Sequence, residues 1–531
     1  MLLQQVAATS RALAAEPGRN AKVALLAGLL QGLGPDDLRA AVVLLSGESK
    51  RMRVGVGPAA LRGLPPPAAS AGLRIAETEA ALRAIAGVSG TGSQAERRRL
   101  LTALFARATA EEQALLYGVL GGDLRQGALD AVMGDAVARA AGVPVAEVRR
   151  ALMFRGSAAE VAAAAMNGGS ATLRGFGLEL GHPVRPMLAA SAPDVGAALD
   201  RLRPAALEWK LDGIRVQVHR DGDRIGVYTR SLEDITARVP EVVEAARALP
   251  VRSAVLDGEA LALDPDGRPR PFQVTAARTA SRQDVRGLRA EVPLSVFFFD
   301  LLHRDGTGLL DQPEEQRFAE LAAVVPAHQR VPRLVTADDG AAREFFQDAL
   351  AHGHEGVMVK DPQARYTAGR RGAGWIKVKP RHTLDLVVLA AEWGSGRRRG
   401  LLSNLHLGAR GDGTPELGDW VMLGKTFKGL TDETLAFQTR ELLAREVQRD
   451  DWVVRVRPEL VVEIAFDGLQ RSPRYPAGLT LRFARVLRYR QDKRADEADT
   501  IATVRALAAA EPGLAGSAGP GEGPDAALDE G

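Results

Sequence analysis

The chain of 531 residues carries 69 lysines and arginines against 66 aspartates and glutamates, a net charge of +3, with 46% hydrophobic and 25% charged residues. That length exceeds what one core serves, so about three domains are expected, with the composition of a soluble globular protein. The absence of cysteine excludes disulfides, thiolate zinc sites and cysteine catalysis; no apolar run of about 18 residues offers a membrane span, and no secretory leader is legible, so a cytoplasmic place is expected.

In chain order, residues 1–175 follow a helical pattern. Val23-Ala24-Leu25-Leu26 with Leu29-Leu30, and Leu100-Leu101 with Leu104-Phe105, place apolar residues on one helix face. Gly34-Pro35 before Asp36-Asp37 marks a helix start with acids at its positive end. Gly121-Gly122-Asp123-Leu124-Arg125-Gln126-Gly127 reads as a loop, suited to a phosphate backbone or equally to an ordinary helix connection. Residues 176–195, with Gly177, Gly181, Pro183 and Pro186, read as a linker. Over 196–380 strands and helices alternate. There the apolar run 294–299 predicts a strand buried on both faces, and 343–351 a helix. Over 381–505 short strands at 384–390, 420–423 and 460–466, broken by glycines, predict a small all-β barrel. Residues 506–531, rich in Gly, Ala and Pro and bearing acidic charges, predict a disordered tail.

One lysine stands out. Leu207-Glu208-Trp209-Lys210-Leu211 alternates apolar and charged residues as a half-buried strand does, and Ile214, Val216 and Val218 continue with the opposite parity. The backbone must bend between them, at Asp212-Gly213, a pair that tolerates it. A lysine beside a bend, among acids, reads as a nucleophile. A free lysine titrates near 10.4, so its amine must be held neutral by burial or nearby cations before it attacks.

Its company has the same character. Asp257 and Glu259 share a strand face, and two carboxylates together invite a hard cation such as Mg²⁺. Glu355-Gly356-Val357-Met358-Val359-Lys360 adds an acid and a lysine. Trp375, Lys377 and Lys379 alternate on one face shortly after Arg370-Arg371, which suits a polyanion. Singly, each segment is an ordinary strand or bend. Jointly they form equipment for moving a nucleotidyl group by charge stabilisation.

Lys-x-Asp-Gly-x-Arg at 210–215, Arg230, Asp-Gly-Glu at 257–259, Phe299, Glu-Gly-Val at 355–357 and Lys-x-Lys at 377–379 resemble, in order, the motifs of covalent nucleotidyltransferases, and most closely those of ATP-dependent DNA ligases. Arg482-Phe483-Ala484-Arg485 through Arg488, Arg490 and Asp492-Lys493 is similar to the ligases' C-terminal motif, although Ala484 stands where proline is usual. Gly424-Lys425-Thr426-Phe427-Lys428-Gly429 resembles a ligase barrel segment. The resemblance spans about residues 120–495 and implies a multidomain fold: an all-α DNA-binding domain (1–175), a linker (176–195), an α+β nucleotidyltransferase (adenylation) domain (196–380) and an all-β OB-fold domain (381–505).

The resemblance also implies roles. Lys210 attacks ATP and carries AMP; Glu208 meets the adenine amino group and Phe299 stacks on the base, although a strand phenylalanine is equally core. Arg215 and Arg230 meet the ribose and later the nick phosphate. Glu259 and Glu355 hold Mg²⁺, with Mn²⁺ as a substitute. Arg371, Lys377 and Lys379 neutralise phosphates, while Arg482, Arg485, Arg488 and Lys493 contact DNA from a mobile barrel. Further expectations are a monomer acting on nicked duplex DNA in replication, repair and recombination, with a sliding clamp as a conceivable partner. NAD-dependent ligases, as a family, carry a four-cysteine zinc module that this chain lacks. Capping enzymes and RNA ligases use the same lysine chemistry and are the nearer rivals.

Overall fold

The computed structural model describes residues 1–510 except 49–53, 55, 57, 91, 122–123, 125–128, 282–283, 368–370, 381, 395–397 and 415–416. The N-terminal region is helical. Helix Arg19–Gln31 buries Leu26 and Leu30, and helix Ser93–Ala106 buries Leu101, Leu104 and Phe105, as the apolar spacing requires. Pro35 opens helix Pro35–Leu45 with Asp36 and Asp37 in its first turn, and the Met1 ammonium pairs with Asp37. These helices, through Ala158–Arg174, share one buried core. Most of the glycine-rich stretch at 121–127 lies outside the described residues.

The central region holds β1 (Leu188–Ser191), β2 (Ala205–Trp209), β3 (Ile214–Asp221), β4 (Arg224–Thr229), β5 (Ser253–Ala262), β6 (Leu294–Arg304), β7 (Thr307–Gly308), β8 (Arg333–Thr336), β9 (Val357–Lys360) and β10 (Arg371–Val378). They form two sheets, in the orders β1-β10-β9-β2-β8 and β4-β3-β5-β6-β7. The bend at Asp212-Gly213 therefore does more than reverse parity: it carries the chain from the first sheet into the second. Gly213 is needed there, because a Cβ would lie 2.5 Å from the Ala260 carbonyl oxygen. Strand β1 falls inside the passage expected as a linker.

Strand β6 corrects an expectation. Leu294, Val296 and Phe298 are buried, but Phe297 and Phe299 on the opposite face are only partly covered. That face is covered by a small cluster with Leu211, Leu261 and Val331 instead of a second full layer.

The C-terminal region contains β11 (His382–Trp393), β12 (Leu402–Arg410), β13 (Trp420–Thr426), β14 (Glu446–Arg449), β15 (Val453–Val456), β16 (Val461–Phe466), β17 (Gly468–Arg471), β18 (Leu479–Arg482) and β19 (Arg485–Tyr489). β11 pairs with β12, β15 and β16, and β16 with β19. The region is β-rich but not all-β. Helix Asp432–Ala444 starts at Thr431, whose hydroxyl caps Thr434 N–H, and packs Leu442 into the core of this region. Helix Ile501–Ala510 adds Ile501, Val504 and Ala508 to that core. Residues 506–510 thus end a helix, and the rest of the expected tail lies outside the described residues. Among the described residues no helix is long and apolar enough to cross a membrane.

Candidate active site

Lys210 sits immediately after β2, at the crossing between the two sheets. Its backbone exchanges two hydrogen bonds with the β9 approach: Lys210 N–H donates to Gly356 O at 2.8 Å, and Glu355 N–H donates to Lys210 O at 3.0 Å. Gly356 has φ +132°, and a Cβ there would lie 2.3 Å from Val378 O, so only glycine fits this close approach.

The side chains repeat that register. Lys210 Nζ pairs with Glu355 Oε2, while Lys379 Nζ donates to Glu355 Oε1 at 2.7 Å and lies 3.5 Å from Asp467, between β16 and β17. Arg482 at the end of β18 lies 3.5 Å from Asp212. Asp467, before β17, and Arg482, at the end of β18, therefore bring the C-terminal region to the mouth of the site.

The protein groups around Lys210 act on its proton in opposite directions. Burial favours the uncharged amine, but Glu355, Glu259 and Asp212 outweigh it and raise the Lys210 pKa above its ordinary value. Glu355 is the converse: burial would raise it, yet Lys210 and Lys379 hold it down to about 2. Glu259 is pushed up to about 7 by burial, with Lys210 and Arg215 only partly opposing and Glu355 and Asp212 adding to the rise. Lys377 is lowered, by burial first and then by Lys379 and Lys210.

These shifts order the titrations of the nucleotide-free protein. Lys377 should lose its proton at a lower pH than Lys210. Competitive amine labelling read by mass spectrometry across pH 7–11 gives each midpoint. A Lys210 midpoint at or below that of Lys377 would contradict the electrostatics described.

Asp257 also departs from expectation. It shares a strand with Glu259 but meets a cation of the protein: Arg215 Nε and Nη2 grip its two oxygens at 3.1 and 2.6 Å. Asp257 and Arg215 come from neighbouring strands β5 and β3, so the pair forms without any metal. Arg215 Nη1 also donates to Met187 O at 2.7 Å, and Tyr366 hydroxyl donates to Asp257 at 2.8 Å. Asp257 raises the Arg215 pKa against the opposing effect of burial.

Glu208 is 2% exposed, and its two oxygens accept from different cations: Arg333 at 2.7 Å and Lys360 at 2.5 Å. Arg333 also forks onto Glu314 at 2.5 and 2.8 Å. Burial nevertheless raises the Glu208 pKa. Lys360 donates to Phe299 O at 3.1 Å and stands 5.1 Å from the Phe299 ring and 4.7 Å from Trp375. Sequence reading noticed Lys360 but gave it no role, and passed over Arg333 and Glu314, whose partners lie over 100 residues away or in another element. The β2–β8 and β2–β9 pairings bring Arg333 and Lys360 to Glu208, and the helix Glu314–Val324 supplies Glu314.

Other candidates are scattered. Arg230 is exposed beyond β4. Arg371 lies in β10, but its side chain is outside the described residues. In the C-terminal region Arg485 is exposed, whereas Arg488 donates to Glu463 at 2.6 Å. Arg490 and Lys493 share Asp385 at 2.8 and 2.6 Å. The basic strip expected at 482–494 is thus largely paired with acids.

Glu259 and Glu355 are the carboxylates whose chemistry suits a divalent cation, although Glu355 already meets Lys210 and Lys379. Glu355 contributes to the raised pKa of Glu259, which is the mutual repulsion that a hard cation relieves. Among the described residues no group of three or more His, Cys, Asp or Glu side chains is arranged to hold a metal, so the remaining ligands would be substrate oxygens and water.

The family model described as "ATP dependent DNA ligase domain" matches residues 186–379, "ATP dependent DNA ligase C terminal region" 398–493 and "DNA ligase N terminus" 60–138. The chain is 57% identical over 517 residues to a "Probable DNA ligase" of Beutenbergia cavernae, covering 96% of this chain and all of that one. It is 58% identical over 510 residues to a "Probable DNA ligase" of Mycolicibacterium gilvum, covering 96% and 99%. Among solved structures, Pmar-Lig_PreS3 matches at 17% identity and TM-score 0.58, over 91% of this chain and 99% of that one, a likeness of fold. A "mycobacterial DNA ligase D complexed with ATP and MES" is 26% identical over 59% of this chain and 97% of that one, with TM-score 0.32.

Proposed function

The chain belongs to the ATP-dependent DNA ligase family, and we propose that its own residues seal nicks in duplex DNA through AMP carried on Lys210. The observation that carries this reading is the Lys210–Glu355–Lys379 chain of charges at the crossing of two sheets, one amine shared with a carboxylate and others beside it. Lys210, paired with Glu355 Oε2, first surrenders its proton to water. The amine then forms a nitrogen–phosphorus bond to the α-phosphorus of ATP as diphosphate leaves. AMP passes to the 5′-phosphate of the nick, and the 3′-hydroxyl displaces it. Lys377 and Lys379 neutralise the phosphates, joined by Arg371.

A divalent cation, Mg²⁺ or Mn²⁺, held by Glu259 and Glu355 would draw negative charge from the phosphates and weaken the carboxylates' hold on the Lys210 proton. Glu208 and Lys360 form a pair of opposite hydrogen-bonding sense. Glu208 accepts from the adenine amino group and Lys360 donates to ring N1; guanine presents the reverse pattern at both atoms. Phe299 supplies the stacking face. Arg215 meets the ribose and Arg230, being exposed, the nick phosphate.

The β-rich region acts as an OB-fold-type barrel that closes on the site through Arg482 and Asp467. It presents Arg485, Arg488 and Lys493 to DNA once their carboxylate partners are exchanged for phosphates. Nicks arise in replication, repair and recombination, and sealing would serve each. The test supplies nicked DNA or nicked RNA with ATP, GTP or NAD. Sealing of nicked DNA with ATP alone is expected; sealing only of RNA, or only with NAD, would overturn the reading. Nick affinity should fall with salt, by about tenfold or more per modest increase, and a flat dependence in a filter-binding series would remove the barrel from the DNA interface.

A further inference from the structure

We infer that Arg185 is a positioning residue, through which the helical N-terminal region sets the Arg215 guanidinium beside the nucleotide pocket. The inference rests on the ligase reading of Arg215 and adds a link from a region otherwise assigned to DNA.

Residues 184–187 are fastened on three sides. Val184 exchanges two hydrogen bonds with the Gln217 side chain of β3: its N–H donates to Oε1 at 2.7 Å and its carbonyl accepts from Nε2 at 3.2 Å. Arg185 turns to the helical region, with its N–H donating to Met153 O at 2.9 Å and Nη2 donating to Gly156 O at 2.8 Å. Met153 lies in the last turn of helix Val145–Arg155 and Gly156 caps it. Two residues on, Met187 N–H donates to Tyr366 hydroxyl at 3.1 Å, and Met187 O accepts from Arg215 at 2.7 Å. Tyr366 in turn donates to Asp257, the carboxylate that grips Arg215.

Little slack exists in this strap. Pro183 and Pro186 fix two φ angles, and the interval from Arg185 to Met187 spans one proline. Apolar packing runs parallel to the hydrogen bonds: Met153, Phe154, Val184, Met187, Tyr366 and Trp375 share one buried cluster. Trp375 lies 5.5 Å from the Arg215 guanidinium and 6.0 Å from the Phe299 ring. The same helix is clamped by Arg150, which forks onto Asp311 at 2.9 and 2.7 Å. The Arg185 side chain reaches a backbone carbonyl at the helix end, the use of a fastener. Loss of the Arg185 Nη2 bond to Gly156 O frees the strap from the helix end, Met187 O moves, and Arg215 loses one of its fixed partners.

The experiment measures enzyme–AMP formation from labelled ATP by the full chain with no DNA present, so that a DNA contact is silent. Arg185→Ala should raise KM for ATP by about tenfold while the maximal rate changes by less than about twofold. With 2′-deoxyATP or 3′-deoxyATP, whichever lacks the hydroxyl that Arg215 meets, the penalty should shrink below about twofold. Arg185→Lys keeps the backbone bond to Met153 and a donor for Gly156; its KM should fall between, and it replaces the alanine variant if that one does not fold. Unchanged ATP saturation with weakened nick binding would make Arg185 a DNA contact and overturn the proposal. An equal penalty with all three nucleotides would show that it does not act through Arg215. Failure of the unaltered protein to form enzyme–AMP is a separate outcome, sinking the ligase reading itself.

Discussion

Lys210→Ala should form no enzyme–AMP from labelled ATP yet still join a nick that already carries 5′-linked AMP. The alanine has no amine to make the nitrogen–phosphorus bond, and among the described residues no other lysine has the same attachment to the sheet crossing, fixed by the Gly356 and Glu355 backbone bonds. The expected loss in the first step is complete within detection, on the order of 10⁴-fold or more, as for removal of other covalent nucleophiles. The last step uses the 3′-hydroxyl as its nucleophile and should keep a measurable rate. Glu355 and Lys379 remain paired at 2.7 Å without Lys210, so the pocket keeps its shape. Labelled adduct persisting in this variant would transfer the nucleophile's role to another residue. Loss of joining on the pre-adenylated nick would show that the substitution damaged more than the amine.

The second large effect is on stability. Arg333→Met should cost about 3–5 kcal/mol, because one guanidinium serves two buried carboxylates, Glu208 and Glu314, and its removal leaves them facing a single lysine. Methionine keeps much of the volume beside Phe318, whose ring lies 3.9 Å from the guanidinium, so the loss is mainly electrostatic. The sign with pH follows. Burial already raises the folded pKa of Glu208, and losing Arg333 raises it further. A carboxyl raised on folding contributes stability fully below the unfolded value, near 4.3, and loses it as pH rises through the folded value. The deficit of the variant should therefore widen from pH 5.5 to pH 8 in paired urea denaturations. A deficit below about 1 kcal/mol, or one that narrows with pH, would show that the network is not held by charge.

Both outcomes depend on features read to different depths from the chain. Lys210 was legible because period-two alternation breaks at Asp212-Gly213, and a change of parity can only mean a bend. Glu355 and Lys379 were legible as charges on strand approaches, but their sharing of one carboxylate was not. The wrong inference about Asp257 is instructive. Strand alternation correctly placed it near Glu259, yet its counter-ion came from the neighbouring strand, where Arg215 stands. Periodicity describes one strand at a time and is silent about the next. Helix Asp432–Ala444 was missed for a smaller reason: Thr431-Asp432-Glu433 is a helix start, hidden among glycine-punctuated strands.

By itself the sequence determined the order of the motifs, the helical and β-rich ends, the bend beside Lys210 and the kinds of side chain available to it. These are local properties, set by spacing along one chain. Only the tertiary structure decided that Lys210 pairs with Glu355, that Glu208 lies between Arg333 and Lys360, and that Arg185 and Met187 tie the helical region to Arg215. Each of these depends on groups brought together across strands and sheets, where burial and Coulomb attraction act over ångströms regardless of separation in the chain.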